Sequence, residues 1–240
     1  MKMARLIGLA SAIGAALSTA ACNIEGNAPM RSQDIVNVAK TGAPIAITTM
    51  VTATFASKDW CDDEGAMAIR QLGSAGTPIV PTGCSKAGGH ATGQFQVTTN
   101  LVRTAGAKDP SVAVEDVLGG DLVRFAVFPH AQHKSLLSVG LFLNIPKFEK
   151  AKASLLQMPV FRMGDDLGEQ TYAISISVAN DLPKPAKFYL KDVGAGGDLP
   201  SDDSVLTIPP GGSDTIALDP ETQAKLMQQG YVNFFAMAAP

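Results

Sequence analysis

Alternating apolar and polar residues run through much of the chain after residue 44 and predict β-strands. In the segment 45–55, Ile47 and Val51 fall on one side, while Thr48 and Thr52 fall on the other. A two-residue period of this kind is typical of a strand with one buried face. Further alternating or short apolar runs predict strands at 95–101, 122–128, 136–143, 172–179, 187–190, 204–208, 214–218 and 231–237.

Three segments have helical patterns instead. Acidic residues at the start of 62–73 favour a short helix there, and apolar residues recur at helical spacing over 145–157. Asp219 and Pro220 then form a strong helix start, because aspartate accepts hydrogen bonds from the first turn and proline has a preset φ. Gly230 is the expected end of that third helix.

These patterns predict a mainly β fold with a few short helices, an α+β arrangement built on antiparallel sheets. Regular short strands with Gly, Pro and Asp turns after residue 166 are typical of a β-sandwich. We therefore expect a β-rich domain over 33–165 and a sandwich-like region with a C-terminal helix and strand over 166–240. The alternative is one domain that spans both ranges.

The first 22 residues have the order of an export signal. Lys2 and Arg5 form a basic head, and an apolar run over 6–17 follows. Small residues then lead into a cysteine. A secretory signal peptide consists of a basic head, a short apolar segment and a cleavage site made of small residues.

The sequence Thr19-Ala20-Ala21-Cys22 resembles the lipobox of bacterial lipoproteins, with Thr19 at a position where leucine is usual. The resemblance implies that residues 1–21 are removed, that Cys22 carries lipid, and that this lipid anchors the protein to a membrane. One alternative is cleavage at an Ala-x-Ala-like site that releases a soluble protein. Another is an uncleaved membrane helix, although about a dozen apolar residues is short against the ~20 that span a bilayer.

The segment 22–32 is small, polar and interrupted by Gly26 and Pro29, so it is interpreted as the lipid attachment site followed by a flexible tether. Asn23 is not the aspartate associated with inner-membrane retention in enteric bacteria. The lipoprotein resemblance therefore favours the outer membrane over the inner membrane.

If Cys22 carries lipid, Cys61 and Cys84 remain as an even pair in an exported chain. Such a pair predicts a disulfide, with Cys84 in a loop that Pro81 and Gly83 indicate. The alternatives are two free thiols or a metal site. Two cysteines without a nearby pair of histidines do not complete a tetrahedral zinc site.

The charge of the chain argues against nucleic-acid binding. Its 240 residues include 19 Lys and Arg and 22 Asp and Glu, for a formal net charge of −3. The only charged residues in 1–21 are Lys2 and Arg5, so removal of this segment makes the net charge more negative. Affinity for nucleic acids depends largely on neutralising phosphates. The charges are also dispersed, without a block of like residues.

Candidate chemistry is sparse. His130 and His133 have HxxH spacing in a predicted hairpin loop, but a catalytic metal needs a third ligand and a base. The favoured interpretation is two solvated loop histidines. The chain has neither Gly-x-Ser-x-Gly nor a phosphate-binding glycine motif. We expect no catalytic residue, no metal site and no cofactor, and hence no enzyme.

The sequence as a whole predicts a lipid-anchored cell-envelope protein with a binding or structural role. Its expected contacts are the membrane, through lipid on Cys22, and another envelope protein. Three alternatives stay open: a metal-dependent hydrolase that uses His130 and His133, a subunit of a secretion or conjugation apparatus, and a phage-encoded exclusion protein.

Overall fold

Eleven strands in the described part of the chain form one mixed sheet, which nearly closes into a barrel. The mainly β, α+β fold class is therefore confirmed. The predicted helix at 62–73 lies outside the residues that the structure describes. The computed structural model describes residues 21–55, 61, 76–87, 90–104, 117–130, 133, 135–156, 171–190 and 204–238.

Strands and helices follow one another with short connections in most of the described ranges. The strands are β1 Ala21–Arg31, β2 Ile45–Phe55, β3 Ile79–Ala87, β4 His90–Arg103, β5 Val123–Pro129, β6 Leu136–Leu143, β7 Thr171–Ala179, β8 Ala186–Tyr189, β9 Val205–Ile208, β10 Ser213–Ala217 and β11 Tyr231–Ala238. The helices are α1 Ser32–Thr41, α2 Ile145–Leu156 and α3 Pro220–Gln229.

The strand order is β10-β7-β1-β2-β4-β5-β6-β11-β8-β9, and β3 pairs with the first part of β4. Most strand pairs are antiparallel, as expected, but the sheet is mixed, because β1 pairs with β7 and β4 with β5 in parallel. The C-terminal strands do not form a sandwich of their own. Since β1 bonds to β7 and β6 to β11, strands from both sides of residue 165 belong to one sheet.

The prediction of a flexible tether over 22–32 is also wrong, because this segment is β1 and the first residue of α1. Its small residues are not random: Gly26, Ala28 and Met30 are buried, while Asn27 between them is exposed. The strand is held on one side by β2 and on the other by β7. Pro29 lies beyond the last residue paired with β2, where a missing N–H group is tolerated.

Helix α1 connects β1 to β2 and lies against the inner side of the curved sheet. It contacts β1, β4, β5 and β6, and its Ile35 and Val38 are fully buried. The helix ends at Gly42, which has φ +73° and donates its N–H group to the Val38 carbonyl over 2.9 Å. A left-handed glycine at this position is a common helix end.

The core fills the inside of the sheet with alternate residues of its strands. Two aromatic side chains, Phe188 of β8 and Phe148 of α2, are among the largest that are fully buried. Phe188 meets Phe235 of β11 edge to face, with ring centroids 5.4 Å apart. Leu226 of α3 is also fully buried, so the two later helices cover the same core.

The two ends of the strand order, β9 and β10, are joined by a tight turn at 209–212. Asn180, the residue after β7, holds this turn through its backbone. Its N–H group donates to the Gly212 carbonyl over 2.9 Å, and its carbonyl accepts the Gly211 N–H group over 2.7 Å. Asn180 therefore connects the end of β7 to the turn between β9 and β10, the two strands at opposite ends of the strand order.

The side chain of Asn180 is only 1% exposed, and all its polar atoms have partners. Its amide nitrogen donates to the carbonyls of Lys184, over 2.9 Å, and Ile208, over 2.8 Å. Its amide oxygen accepts the Leu182 N–H group over 3.1 Å. One buried side chain thus binds three backbone groups, two in the β7–β8 connection and one at the end of β9, where the sheet nearly closes.

Helix α3 begins at Asp219, as the sequence predicts. Its carboxylate accepts the Thr222 N–H group over 2.9 Å and the Thr222 hydroxyl over 2.6 Å. These hydrogen bonds favour the charged form, so they hold the pKa of Asp219 below its ordinary value. Gly230 ends the helix with φ +75°.

We expect Asp219→Ala to lower the free energy of unfolding by about 1 kcal/mol at about pH 7, because the first turn of α3 loses its cap. The pKa of Asp219 is lower in the folded chain than in the unfolded chain. The contribution of the carboxylate is therefore complete above the unfolded pKa of about 3.9 and is lost as pH falls through the folded pKa. Urea unfolding as a function of pH measures this change.

Asp219→Asn is the matched control, since asparagine caps helices about as well but does not titrate. It should keep most of the stability at neutral pH and lose the acid-dependent part. A difference between wild type and Asp219→Ala that stays the same down to about pH 2 would contradict the assignment.

Candidate functional site

Cys22 lies at the very start of the sheet. Ala21 is paired with Phe55 of β2, and Asn23 is paired with both Thr54 and Thr171. A register irregularity separates Ala21 from Asn23 along β2. The other lipobox-like residues, Thr19 and Ala20, lie outside the described range. The predicted lipid site is therefore followed at once by a paired strand.

Cys61 and Cys84 lie at disulfide distance, with their Cα atoms 5.4 Å apart. Cys84 belongs to β3, where it is paired with Gly93 of β4. Cys61 is half-buried and packs against the main core. The pair therefore connects an outer strand of the sheet to a segment that follows β2.

The HxxH histidines lie in the connection of the β5–β6 hairpin, but the interpretation that both are solvated is wrong. His130 is 5% exposed, and its Nδ1 accepts the backbone N–H group of His133 over 3.1 Å. The two rings have centroids 5.2 Å apart. Because the Nδ1 lone pair of His130 holds the loop together, this atom does not serve as a metal ligand here. The described residues contain no group of three His, Cys, Asp or Glu side chains that could hold a metal ion.

A broad outer surface of the sheet is the most distinctive feature of the described residues. This surface is formed by five neighbouring strands, from β10 to β4 in the strand order. In each strand, buried residues alternate with outward-facing residues, and most of the outward-facing residues are polar. We call this surface the polar face. Its central residues are Thr215, Ser175, Ser177, Asn27, Thr48, Met50, Thr52, Gln94, Gln96 and Thr98.

Hydrogen bonds order the β7 side of the polar face. The Asn27 amide donates to the Ser177 hydroxyl over 2.8 Å, and the same hydroxyl lies 3.0 Å from the Asn27 amide oxygen. Ser177 and Thr215 are also in contact, with hydroxyl oxygens 3.2 Å apart. These hydrogen bonds thus connect side chains of three adjacent strands.

The other side of the polar face carries exposed apolar side chains. In the strand register, Met50 of β2 lies opposite Gln96 of β4, and Gln96 lies opposite Val80 of β3. Met50 is 45% exposed and Val80 is 54% exposed. The third large hydrophobic side chain exposed in the described residues, Leu190, lies elsewhere, directly after β8. Two of these three side chains therefore flank a single glutamine.

Formal charge is nearly absent from the polar face. Among the outward-facing described residues of its five strands, Glu25 and Arg31 of β1 are the only ones with a full charge. Arg31 is at the end of its strand, next to the start of α1. There, burial and the nearby Asp181 carboxylate raise the pKa of Asp34, while Arg31 opposes that change. Among the described residues, Glu25 is therefore the one acidic group on the polar face.

No protein-family model matches this chain, and no significant relative is found among characterised proteins. Among the helices in the described ranges, none is both long and apolar enough to cross a membrane.

The sequence predicts four of the five strands that form the polar face, all except β1. The outward threonines of β2 and the outward amides of β4 were visible as the polar positions of two predicted strands. The sequence does not indicate the contribution of Asn27, because the composition of the segment 22–32 favours a tether. Alternation of Gly26, Ala28 and Met30 with polar residues was the available signal, but small residues make that signal weak.

Proposed function

We propose that this protein is a lipid-anchored component of the bacterial cell envelope that binds another envelope protein through its polar face. The lipobox-like sequence that ends at Cys22 supports the anchor. The row of Met50, Gln96 and Val80 on a nearly uncharged surface is the observation that supports binding. The role is recognition or structural support, without chemistry at the polar face.

The composition of the polar face favours a protein partner. The centres of protein interfaces are depleted in charged residues and enriched in methionine, with hydrogen-bonding groups around them. Met50 and Val80 supply apolar contact area, and the neighbouring amides and hydroxyls supply hydrogen bonds. Binding of this kind depends little on salt, because charge pairs contribute little to it.

The dimensions of the polar face also fit a protein interface. Together with the adjoining strand β3, which carries Val80, its five strands cover about 24 Å at ~4.8 Å spacing. The outward residues from Ala46 to Thr54 extend for about 27 Å along β2. Such an area approaches the ~800 Å² that each partner contributes to an interface of standard size.

In-cell photo-crosslinking tests the proposed contact. A crosslinking amino acid at position 96 should give a discrete adduct, and the same probe at Lys187, an exposed position of β8, should not. Met50→Lys should lower the yield at position 96 about tenfold, because a charge without a partner would be buried beside it. Met50→Gln is the matched control and should lower the yield less.

Equal adducts from positions 96 and 187, or none from either, would contradict a role for the polar face. The stoichiometry of the adduct also separates two forms of the proposal. An assembly subunit gives a discrete adduct in fixed ratio, whereas a solitary binder gives a yield that varies with its partner.

The hydrolase alternative has less support. His130 uses its Nδ1 within the hairpin loop, and the described residues near it provide no third ligand for a metal. Changing His130 and His133 together to alanine tests this alternative. An unchanged metal content and phenotype would count against it.

A further inference from the structure

We infer that the end of the sheet at which β1 begins lies directly against the lipid bilayer, without an intervening tether. The inference rests on the proposed lipid anchor at Cys22 and specifies how the anchored protein is oriented. The surface involved is the strand end formed by the start of β1, the end of β2 and the β3–β4 hairpin. Its partner is a phospholipid surface, into which the acyl chains on Cys22 are inserted.

The argument begins with chain length. Asn23, one residue after the lipid site, is already paired with Thr54 and Thr171. Consecutive Cα atoms are about 3.8 Å apart, so only one such step separates the acylated residue from a paired one. A flexible tether of about ten residues would have allowed roughly 35 Å. The lipid therefore holds the folded sheet close to the bilayer.

The strand register identifies the residues at this end. Phe55 is paired with both Ala21 and Ala91, and Ala91 is paired with Lys86 of β3. His90 begins β4 directly beside them and is exposed, as is Lys86. These residues therefore lie at the same level of the sheet as the residue that precedes Cys22.

Among the described residues at this end, one carries a positive charge that suits a phospholipid surface. This residue is Lys86, and lipid headgroups present phosphates. On β1, the first acidic residue is Glu25, two residues beyond Asn23 and further from the strand end. A lysine next to the acyl chains favours contact with the headgroup phosphates.

The opposite end of the same strands is far from the bilayer. Ala46 lies nine residues from Phe55 along β2, which corresponds to about 30 Å of strand. The polar face covers the length between these ends. A protein that binds the polar face therefore meets it within a few nanometres of the membrane surface.

Fluorescence quenching tests this orientation. The acylated protein, with an environment-insensitive fluorescent amino acid at position 90 or 46, is inserted into vesicles of phosphatidylethanolamine and phosphatidylglycerol. Part of the lipid carries a nitroxide on its headgroup. Quenching at position 90 should be several times stronger than at position 46, because only position 90 lies at the membrane end.

A variant with ten Gly and Ser residues inserted between Cys22 and Asn23 is the matched control. It keeps the acylated cysteine and restores the tether, so quenching at position 90 should fall towards the level at position 46. If the native protein shows equal quenching at both positions, or if the insertion changes nothing, the inferred orientation is wrong.

The intact mass of the membrane-extracted protein separates this failure from failure of the proposed function. A chain that begins at residue 22 and carries acyl mass, but shows equal quenching, overturns the orientation and leaves the lipid anchor in place. An unmodified chain in the soluble fraction overturns the anchor itself.

Discussion

Asn180→Leu is expected to lower the free energy of unfolding by about 3 kcal/mol. Leucine has a similar volume but no polar atoms, so the carbonyls of Lys184 and Ile208 lose their shared donor. The Leu182 N–H group loses its acceptor as well. Each buried polar group left without a partner costs about 1–3 kcal/mol, and local relaxation recovers part of that loss. Urea unfolding followed by circular dichroism measures the change.

Asn37→Leu is the matched control, because Asn37 is exposed on α1 and its side chain accepts a hydrogen bond from the side chain of Gln33 on the same helix. That change should stay within about 0.5 kcal/mol of wild type. Asn180→Asp adds a second test. It removes two donors and places a charge opposite two carbonyls, so it should destabilise the protein at least as much as leucine does. Equal effects at positions 180 and 37 would show that Asn180 does not hold the sheet ends together.

Removing the Cys61–Cys84 link is expected to cost about 3 kcal/mol. The two residues are 23 positions apart, and closing a loop of that length reduces the entropy of the unfolded chain. Cys61→Ser with Cys84→Ser should therefore lower the urea midpoint without changing the strand content of the folded protein. Mass spectrometry of the oxidised wild type should find the chain two hydrogens lighter than its reduced form.

A reductant provides the control for this prediction. It should shift the midpoint of the wild type towards that of the double variant and leave the double variant unchanged. A wild type whose midpoint does not respond to reductant would show that the pair contributes nothing to stability, even though the two cysteines lie at disulfide distance.

The sequence predicts correctly those elements for which the evidence is a clear local pattern of residues. The predictions for 45–55 and 136–143 agree with β2 and β6, because β-branched and large apolar residues dominate those segments. The start of α3 was predicted from Asp219 and Pro220, since a helix cap is local chemistry. In each case the information lies within about ten residues of the element.

Two strands are not predicted by the sequence, because one depends on pairing with a distant segment and the other contains residues that are unusual in strands. β1 was interpreted as a tether, although its Gly26 and Ala28 are buried by a pairing with β7 that no local pattern reveals. β3 was interpreted as a loop because Pro81 and Gly83 are turn residues. A register irregularity between them accommodates both within a strand.

The candidate site was partly visible for the same reason. Polar alternation in the segments of β2 and β4 indicated one solvated side for each strand. Their assembly with Asn27 and Ser177 into one surface follows from the strand order, which periodicity does not determine. The alternation places Met50 on the same side of β2 as Thr48 and Thr52, but it does not determine how much of the methionine the neighbouring strands leave exposed.

The pairing of β1 with β7 also sets the order of events during synthesis. Asn27 and Ser177, which are hydrogen bonded, are 150 residues apart. At about 5–20 residues per second, the ribosome needs roughly 8–30 s to reach the second after the first. β2 arrives sooner and covers one edge of β1, but the other edge exposes unpaired backbone groups during that interval. A chain cut short before β7 would keep that edge open and would be prone to aggregate, so the complete sheet is a product of the finished chain.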